Sequence, residues 1–499
     1  MIELGHISYW YPRRSEAALR DLSLQVQDGE SLCVMGRNGS GKSTLVKLIA
    51  GLVKPDRGHL TVDGRIGRDA HDGQVGILFQ NPDNQMVTTL VEKEIAFALE
   101  NRAVAQSEME SVIARVAAQF RIEHLLNRLT SELSGGEKQR VALASVMVQN
   151  PSVLLLDEPD SFLDQEGGHI LAAELARLHQ EDNKLIEIRI TQSPQVAGKY
   201  SRLVVLDDGA VVADGDPTGI FADAHLCTLA GLTIPDLSHT RVNLPASMRP
   251  AGESADRQLS SVHLEEVAYA WPMCEPVLQR ISLSLEVGET VGLVGPTGAG
   301  KSSLGLLIAG LVRPGEGQVT YLHKSGLGLS HDDIRGQVAL VLQQPERQFF
   351  LATCTEEVAF GPKNLGRTLA SEQINAFLEL VGLNPSRFAD RDPFSLSAGE
   401  KRRLAFAVVL AMAPSLVVFD EPTAGLDGEG AGRFIRLSQA LRELKVGQII
   451  ITHDGEVVHR LCDRVLYMTK RGDLVQLSTS ELFEDKRYSG VVSARTSPS

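Results

Sequence analysis

The chain has 499 residues, 43% of them hydrophobic and 22% charged, with a formal net charge of −14 at pH 7. That length exceeds what one core supports, so two or three domains are expected. The acidic balance argues against a nucleic-acid surface, which needs a basic face. Five cysteines (Cys33, Cys227, Cys274, Cys354, Cys462) without a C-x-x-C pair exclude the usual zinc and cluster spacings. They fit a reducing compartment and read as small buried hydrophobes.

The opening "MIELGHISYWYP" has neither a basic stretch nor an apolar core, so no signal peptide is expected. "SLCVMG", from residue 31, is a short apolar run entering a Gly-rich turn. "KSTLVKLIAGL" follows, with Leu45, Leu48, Ile49 and Leu52 at helical spacing. Ser107 and Glu110 are spaced as a capping box before an amphipathic helix. "SVLLLDEP" and "KLIEIRIT" are continuous apolar runs between helical segments, the look of buried parallel strands. The longest apolar stretch, "LAFAVVLAMAPSLVVF" at 404–419, is interrupted by Pro414 and Ser415. It is shorter than the ~20 residues of a membrane-spanning helix and reads as a buried helix followed by a buried strand.

The chain repeats itself. "GRNGSGKST" (36–44) returns as "GPTGAGKSS" (295–303), and "LFQNPDNQ" (78–85) as "VLQQPERQ" (341–348). "LSGGEKQR" (133–140) returns as "LSAGEKRR" (396–403), and "LLLDEP" (154–159) as "VVFDEP" (417–422). This is a tandem duplication of one α/β domain: a first copy over 1–232, a linker over 233–259, a second copy over 260–488 and an unordered tail over 489–499. Pro235, Pro245 and Pro250 without apolar periodicity mark the linker as extended.

Each copy carries G-x-x-x-x-G-K-[ST], a loop whose backbone amides and following helix form an anion cradle. Its residues are Gly36, Asn38, Gly39, Ser40, Gly41, Lys42, Ser43 and Thr44 in the first copy. In the second they are Gly295, Thr297, Gly298, Ala299, Gly300, Lys301, Ser302 and Ser303. Lys42 and Lys301 are placed for outer phosphates, and Ser43 and Ser302 for Mg²⁺. At the end of an apolar strand, Asp157 and Asp420 fit a hold on Mg²⁺, while Glu158 and Glu421 fit polarisation of an attacking water.

"LSGGE" and "LSAGE" at helix starts complete a set that resembles the ABC ATPases over nearly the whole chain, twice. The resemblance implies two tandem P-loop domains, each with a helix-covered, mainly parallel sheet, an antiparallel β subdomain and a helical subdomain. It implies ATP and Mg²⁺ as cofactors, and an internal pseudo-dimer that clamps two ATP molecules head to tail. Ser134, Gly135 and Gly136 would then face the second copy's phosphate loop, and Ser397, Ala398 and Gly399 the first's. It further assigns Gln80 and Gln343 to Mg²⁺ and the attacking water, and Tyr11 and Trp271 to adenine. The residue after the Ile-Thr strand end is a γ-phosphate-contacting His in the family. His453 matches and Gln192 does not. With Ala398 in place of a signature glycine, both departures fall on the site built on Lys42. The site built on Lys301, Glu421 and His453 is therefore expected to be the main hydrolytic one.

Q-x-P-x-x-Q, present in both copies, resembles the ATPase subunits of energy-coupling factor importers of vitamins and of cobalt or nickel. That resemblance implies an integral membrane scaffold subunit and a substrate-binding membrane subunit as partners. It also implies a cytoplasmic chain, peripheral on the inner face of the cell membrane. The segment after this motif is expected to meet the scaffold, with Glu94 and Glu357 as candidate contacts. Two alternatives stay open: the fused ATPase of a sugar-type importer, and a soluble tandem ABC ATPase acting on ribosomes.

Overall fold

The computed structural model describes residues 1–12, 16–62, 65–66, 75–159, 165–232, 244–248, 259–272, 275–485, 488 and 492. The chain divides into two compact units between Thr233 and Ile234. Cys274, most of the expected linker and nearly all of the expected tail lie outside the described residues.

Among the described residues the first unit contains ten strands: β1 (Ile2–Tyr9), β2 (Leu19–Val26), β3 (Ser31–Gly36), β4 (Arg57–Val62), β5 (Arg65–Ile66), β6 (Val75–Leu78), β7 (Val153–Asp157), β8 (Ile186–Ile190), β9 (Arg202–Asp207) and β10 (Ala210–Gly215). They form a four-stranded sheet in the order β2-β1-β4-β5 and a six-stranded sheet in the order β10-β9-β3-β8-β7-β6. The first sheet is antiparallel. The second is parallel except for its edge strand β10.

The second unit repeats the plan with β11 (Leu259–Ala270), β12 (Pro276–Glu286), β13 (Thr290–Val294), β14 (Glu316–His323), β15 (Gly328–Leu329), β16 (Val338–Val341), β17 (Leu416–Asp420), β18 (Gly447–Ile451), β19 (Arg464–Met468) and β20 (Leu474–Leu477). Its sheets run β12-β11-β14-β15 and β16-β17-β18-β13-β19-β20. Only β20 of the larger sheet is antiparallel. Helices Val91–Glu100, Gln106–Gln119 and Gly135–Met147 share a core in the first unit. Cys354–Asn364, Ser371–Leu380 and Ala398–Ala411 do so in the second.

The apolar runs explain this layering. Every residue of β7, β13, β17 and β18 is buried, as strands covered on both faces require. "LAFAVVLAMAPSLVVF" is indeed a buried helix end followed by β17, and no helix among the described residues is long and apolar enough to cross a membrane. Cys33, Cys227 and Cys354 are buried and Cys462 half-buried, all as free thiols.

Two sequence expectations need correction. Ser107 does not cap its helix, which begins at Gln106 with Ala105 as N-cap and no side-chain cap. The preceding Ala105 already has extended backbone, so the chain turns into the helix before the serine. Nor is "KLIEIRIT" purely apolar: Glu187 and Arg189 of β8 are buried. Glu187 is satisfied by His179 at 2.8 Å and by the Tyr200 hydroxyl, which also accepts from Arg189 at 3.4 Å.

Candidate functional site

In each unit the phosphate loop is the turn between a buried central strand and a helix, β3 to Lys42–Ile49 and β13 to Lys301–Ile308. Gly36 and Gly295 start the turn at φ 154° and 150°. A Cβ there would sit 2.2 Å from the Leu206 carbonyl oxygen and 2.3 Å from that of Met468, so only glycine fits against the neighbouring strand. Gly41 and Gly300 are left-handed at the helix N-caps. Asn38, Gly39 and Ser40, with Thr297, Gly298 and Ala299, fill the turn between these glycines. Lys42 curls back to donate to the carbonyls of Gly36 (2.7 Å) and Arg37 (2.8 Å). Lys301 does the same to Gly295 (2.7 Å) and Pro296 (2.8 Å). The loops are preformed, each around a lysine that donates to backbone oxygens of the turn, bonds that an anion can replace.

The acidic pairs stand beside these loops. Ser43 hydrogen-bonds Asp157, and Ser302 hydrogen-bonds Asp420. Burial pushes Asp157 above the usual carboxylate range and Asp420 to about 6. Asp420 Oδ1 is buried without a hydrogen-bond partner. An orphaned carboxylate oxygen next to a serine hydroxyl is a hard-oxygen donor set, which fits Mg²⁺. Ser302, Asp420 and Gln343 would hold the ion in the second unit, and Ser43, Asp157 and Gln80 in the first. When bound, Mg²⁺ neutralises charge building up on the phosphate oxygens.

The following glutamates differ more. Glu158 and Glu421 both adopt left-handed backbone, φ 47° and 50°, with their amides bonded to Ile190 and Ile451. Glu158 accepts from Gln80 Nε2 at 2.7 Å and from Gln192 Nε2 at 3.4 Å. Gln192 also reaches the Gly36 carbonyl at 3.4 Å. Glu421 instead lies 3.4 Å from His453 Nε2, and no bond from Gln343 to it is present among the described residues. Burial pushes Glu421 up to about 7, opposed by the charges of Lys301 and Arg402 and by the His453 backbone amide. A carboxylate near 7 beside a histidine is suited to take a proton from water. Glu158 is instead engaged by two side-chain amides, those of Gln80 and Gln192.

Tyr11 packs edge-on to Tyr9 (5.1 Å) and bonds Thr44 at 3.2 Å. Trp271 packs edge-on to Tyr269 (5.3 Å) and bonds Ser303 at 3.2 Å, leaving the side chain 40% exposed. Each aromatic is thus tied to the phosphate-loop helix of its own unit. Ser134 and Ser397 cap the signature helices, and each hydroxyl donates to the glutamate three residues on, Glu137 or Glu400, at 2.8 Å. Both serines and Ala398 are exposed, while Gly135, Gly136 and Gly399 are half-buried in the first helical turn.

The structure overturns one assignment. Glu94 and Glu357 are buried, 4% and 1% exposed, so neither is a docking contact. Glu94 accepts from the amides of Val87 (3.0 Å) and Thr88 (2.7 Å), and Glu357 from those of Phe350 (2.6 Å) and Leu351 (2.7 Å). The last glutamine of Q-x-P-x-x-Q is structural too. Gln85 bonds Phe79 N and Ile77 O, and Gln348 bonds Leu342 N and Leu340 O, closing the loop onto the end of β6 or β16.

Sequence reasoning also passed over Arg402. It sits where the first copy has Gln139, an exchange visible in "EKQR" against "EKRR".

The ABC transporter family model matches residues 19–161 and 278–424, more than half of the chain. The chain is 32% identical over 93% of its length to a provisionally named ABC transporter ATP-binding protein of Bifidobacterium longum, of which it spans 64%. It is 30% identical over 97% of its length to another such protein of Methanosarcina mazei, spanning 90% of it. A Bacillus subtilis protein provisionally named as an HMP/thiamine import ATP-binding protein is 29% identical, with 97% and 93% coverage. Among solved structures, cbiO1 from Clostridium perfringens, part of the ABC transporter complex cbiONQ, is 29% identical. That match covers 48% of this chain and 97% of the other at TM-score 0.40. The two phosphate loops, acidic pairs and signature helices thus belong to a tandem ATPase of the ABC transporter family.

Proposed function

We propose that this ABC ATPase energises uptake of a vitamin or transition-metal ion through separate membrane subunits, a scaffold and a substrate binder. In this reading the second unit's site, built on Lys301, Glu421 and His453, is the main hydrolytic one. The observation that carries the transport reading is a pair of exposed apolar side chains beside each glutamine loop. Phe350 (61% exposed) and Phe360 (38%) stack edge-on at 4.7 Å, and Val87 (68%) and Phe97 (38%) occupy the repeat-equivalent positions. The buried Glu357 and Glu94 hold the loops that present Phe350 and Val87, while Phe360 and Phe97 lie on the helices that follow. Exposed apolar side chains clustered in this way suit a protein partner, and Phe350 and Val87 each follow Gln343 or Gln80 by seven residues, which would couple docking to the nucleotide. The vitamin-type substrate class rests on Q-x-P-x-x-Q and on the name of the Bacillus subtilis relative.

The test is to replace Phe350 and Phe360 together by serine and purify the chain with its membrane partners. Recovery of those partners falls while binding of a fluorescent ATP analogue stays unchanged. Equal loss of both would make the aromatics structural and remove this support.

A further inference from the structure

In the second unit three segments meet at one side chain, Arg402 on the signature helix Ala398–Ala411. Its Nη2 donates to the Gln343 carbonyl at 2.8 Å, and its Nη1 to the Glu421 carbonyl. The guanidinium faces the carboxylates of Glu421, Glu346 and Asp420, and burial costs it part of its basicity. The first unit is wired differently. Gln139 is fully buried and donates to the Pro159 carbonyl at 3.1 Å, and among the described residues its Oε1 has no partner. There the signature helix reaches the glutamine loop by a peripheral ion pair, Lys138 to Asp83 at 2.5 Å.

We propose that Arg402 is a positioning residue for ATP hydrolysis in the second unit, holding the backbones of Gln343 and Glu421 in register with the signature helix. A planar fork can bridge two carbonyls at once, which neither a glutamine nor an ammonium does with the same geometry. Glu421 sits on left-handed backbone, a conformation that costs energy in a non-glycine residue and persists only where its surroundings hold it. Arg402 supplies one such hold, on the carbonyl of the strained residue itself. Movement of the glutamine loop, or of the signature helix, is thereby transmitted to the glutamate. Gln139 bonds one residue further along, and among the described residues it makes no hydrogen bond to the glutamine loop, so this link is not repeated there.

The inference rests on the second site being the main hydrolytic one, so the experiment measures both. Arg402→Gln, Arg402→Lys and Glu421→Gln are compared in the full chain with its membrane partners, for kcat, KM and affinity for a fluorescent ATP analogue. Arg402→Gln lowers kcat about tenfold or more, the scale of a small misplacement of catalytic groups, with analogue affinity and KM within about threefold, as expected for loss of an interaction that matters in the transition state. Arg402→Lys falls between it and the parent. Parent-like kcat in folded Arg402→Gln overturns the proposal. If that variant fails to fold, the lysine variant decides: reduced kcat at unchanged affinity supports the role, and parent-like kcat overturns it. Survival of turnover in Glu421→Gln sinks the reading of the second site instead, whatever Arg402 does.

Discussion

The two halves of this chain are one fold built with different internal wiring. Where the first places a buried ionic network on β8, Glu187 and Arg189 with His179 and Tyr200, the second has Gln448 and Ile450 at the matching positions. Gln448 is satisfied by neutral partners, bonding the Ser438 hydroxyl at 2.7 Å and carbonyl at 2.9 Å. Beneath the second acidic pair, Phe406, Phe419 and Phe434 stack within 5.2–5.7 Å, where the first copy has Leu143 and Leu156 against the helix Gln165–Glu181. The sheet order and the phosphate loop are indifferent to these exchanges, because they need only apolar volume and glycine at fixed places. The catalytic ends of the strands are not indifferent. There a duplicated backbone delivers a glutamate facing one histidine in one copy, and a glutamate engaged by two amides in the other.

The sharpest way to break this comparison is to remove each glutamate in turn. Glu421→Gln is expected to cost ~10²-fold or more in ATP turnover, as loss of a general base does, and Glu158→Gln several-fold. Steady-state hydrolysis with the membrane partners present measures both. Equal and near-complete losses would mean that the two sites fire as equals and that the amides on Glu158 are incidental.

A pH profile sharpens it further. Glu421, pushed up to about 7 by burial, acts as a base only when ionised. Turnover should rise with pH to a plateau above about 7 and fall about tenfold for each unit below it. The sign for stability is opposite. A carboxylate whose folded pKa exceeds its unfolded value contributes stability that is full below the unfolded pKa and is lost as pH rises through about 7. The melting temperature of the nucleotide-free parent, relative to Glu421→Gln, should therefore drop between pH 5 and 8. A flat difference would show that the carboxylate is not desolvated.

How far the sequence reaches follows from what each feature depends on. The phosphate loops were readable because Gly36, Gly41 and their counterparts answer a backbone requirement that no other residue meets. Strands β7 and β17 were readable because two-sided burial leaves an unbroken apolar run. Glu94 and Glu357 were misread, since a charged residue early in an amphipathic helix ordinarily faces solvent. Only the fold shows that a loop seven residues back turns its amides onto each carboxylate. Arg402 was in plain sight, but one exchange inside a matched motif has no period, and its meaning lies in two carbonyls distant in sequence.

Those buried glutamates offer a third, smaller contrast between the halves. Glu357 is the more deeply buried, and its two amide bonds are the shorter pair. Glu357→Ala should cost about 3 kcal/mol and Glu94→Ala about 2 kcal/mol, from the loss of charge-assisted bonds that leave buried amides unpaired. Denaturant unfolding of the full chain, with probes placed in each half, measures the two separately. Costs below about 0.5 kcal/mol would mean that the amides find water instead.

The smallest effect is expected at Gln192. Its amide stands 3.4 Å from Glu158 and 3.4 Å from the Gly36 carbonyl, while His453 Nε2 stands 3.4 Å from Glu421. The two side chains therefore take the same place with respect to the glutamate. Gln192→His would keep one donor on Glu158 and release the second contact to the phosphate loop. It would leave Gln80 bonded to Glu158 at 2.7 Å, so the carboxylate would remain partly engaged. Turnover of the full chain is accordingly expected to change by less than about threefold. A rise of tenfold or more would show that the missing histidine alone silences the first site, and that the glutamine bonds around Glu158 matter little. No change in Gln192→His would show that the histidine alone does not restore the first site.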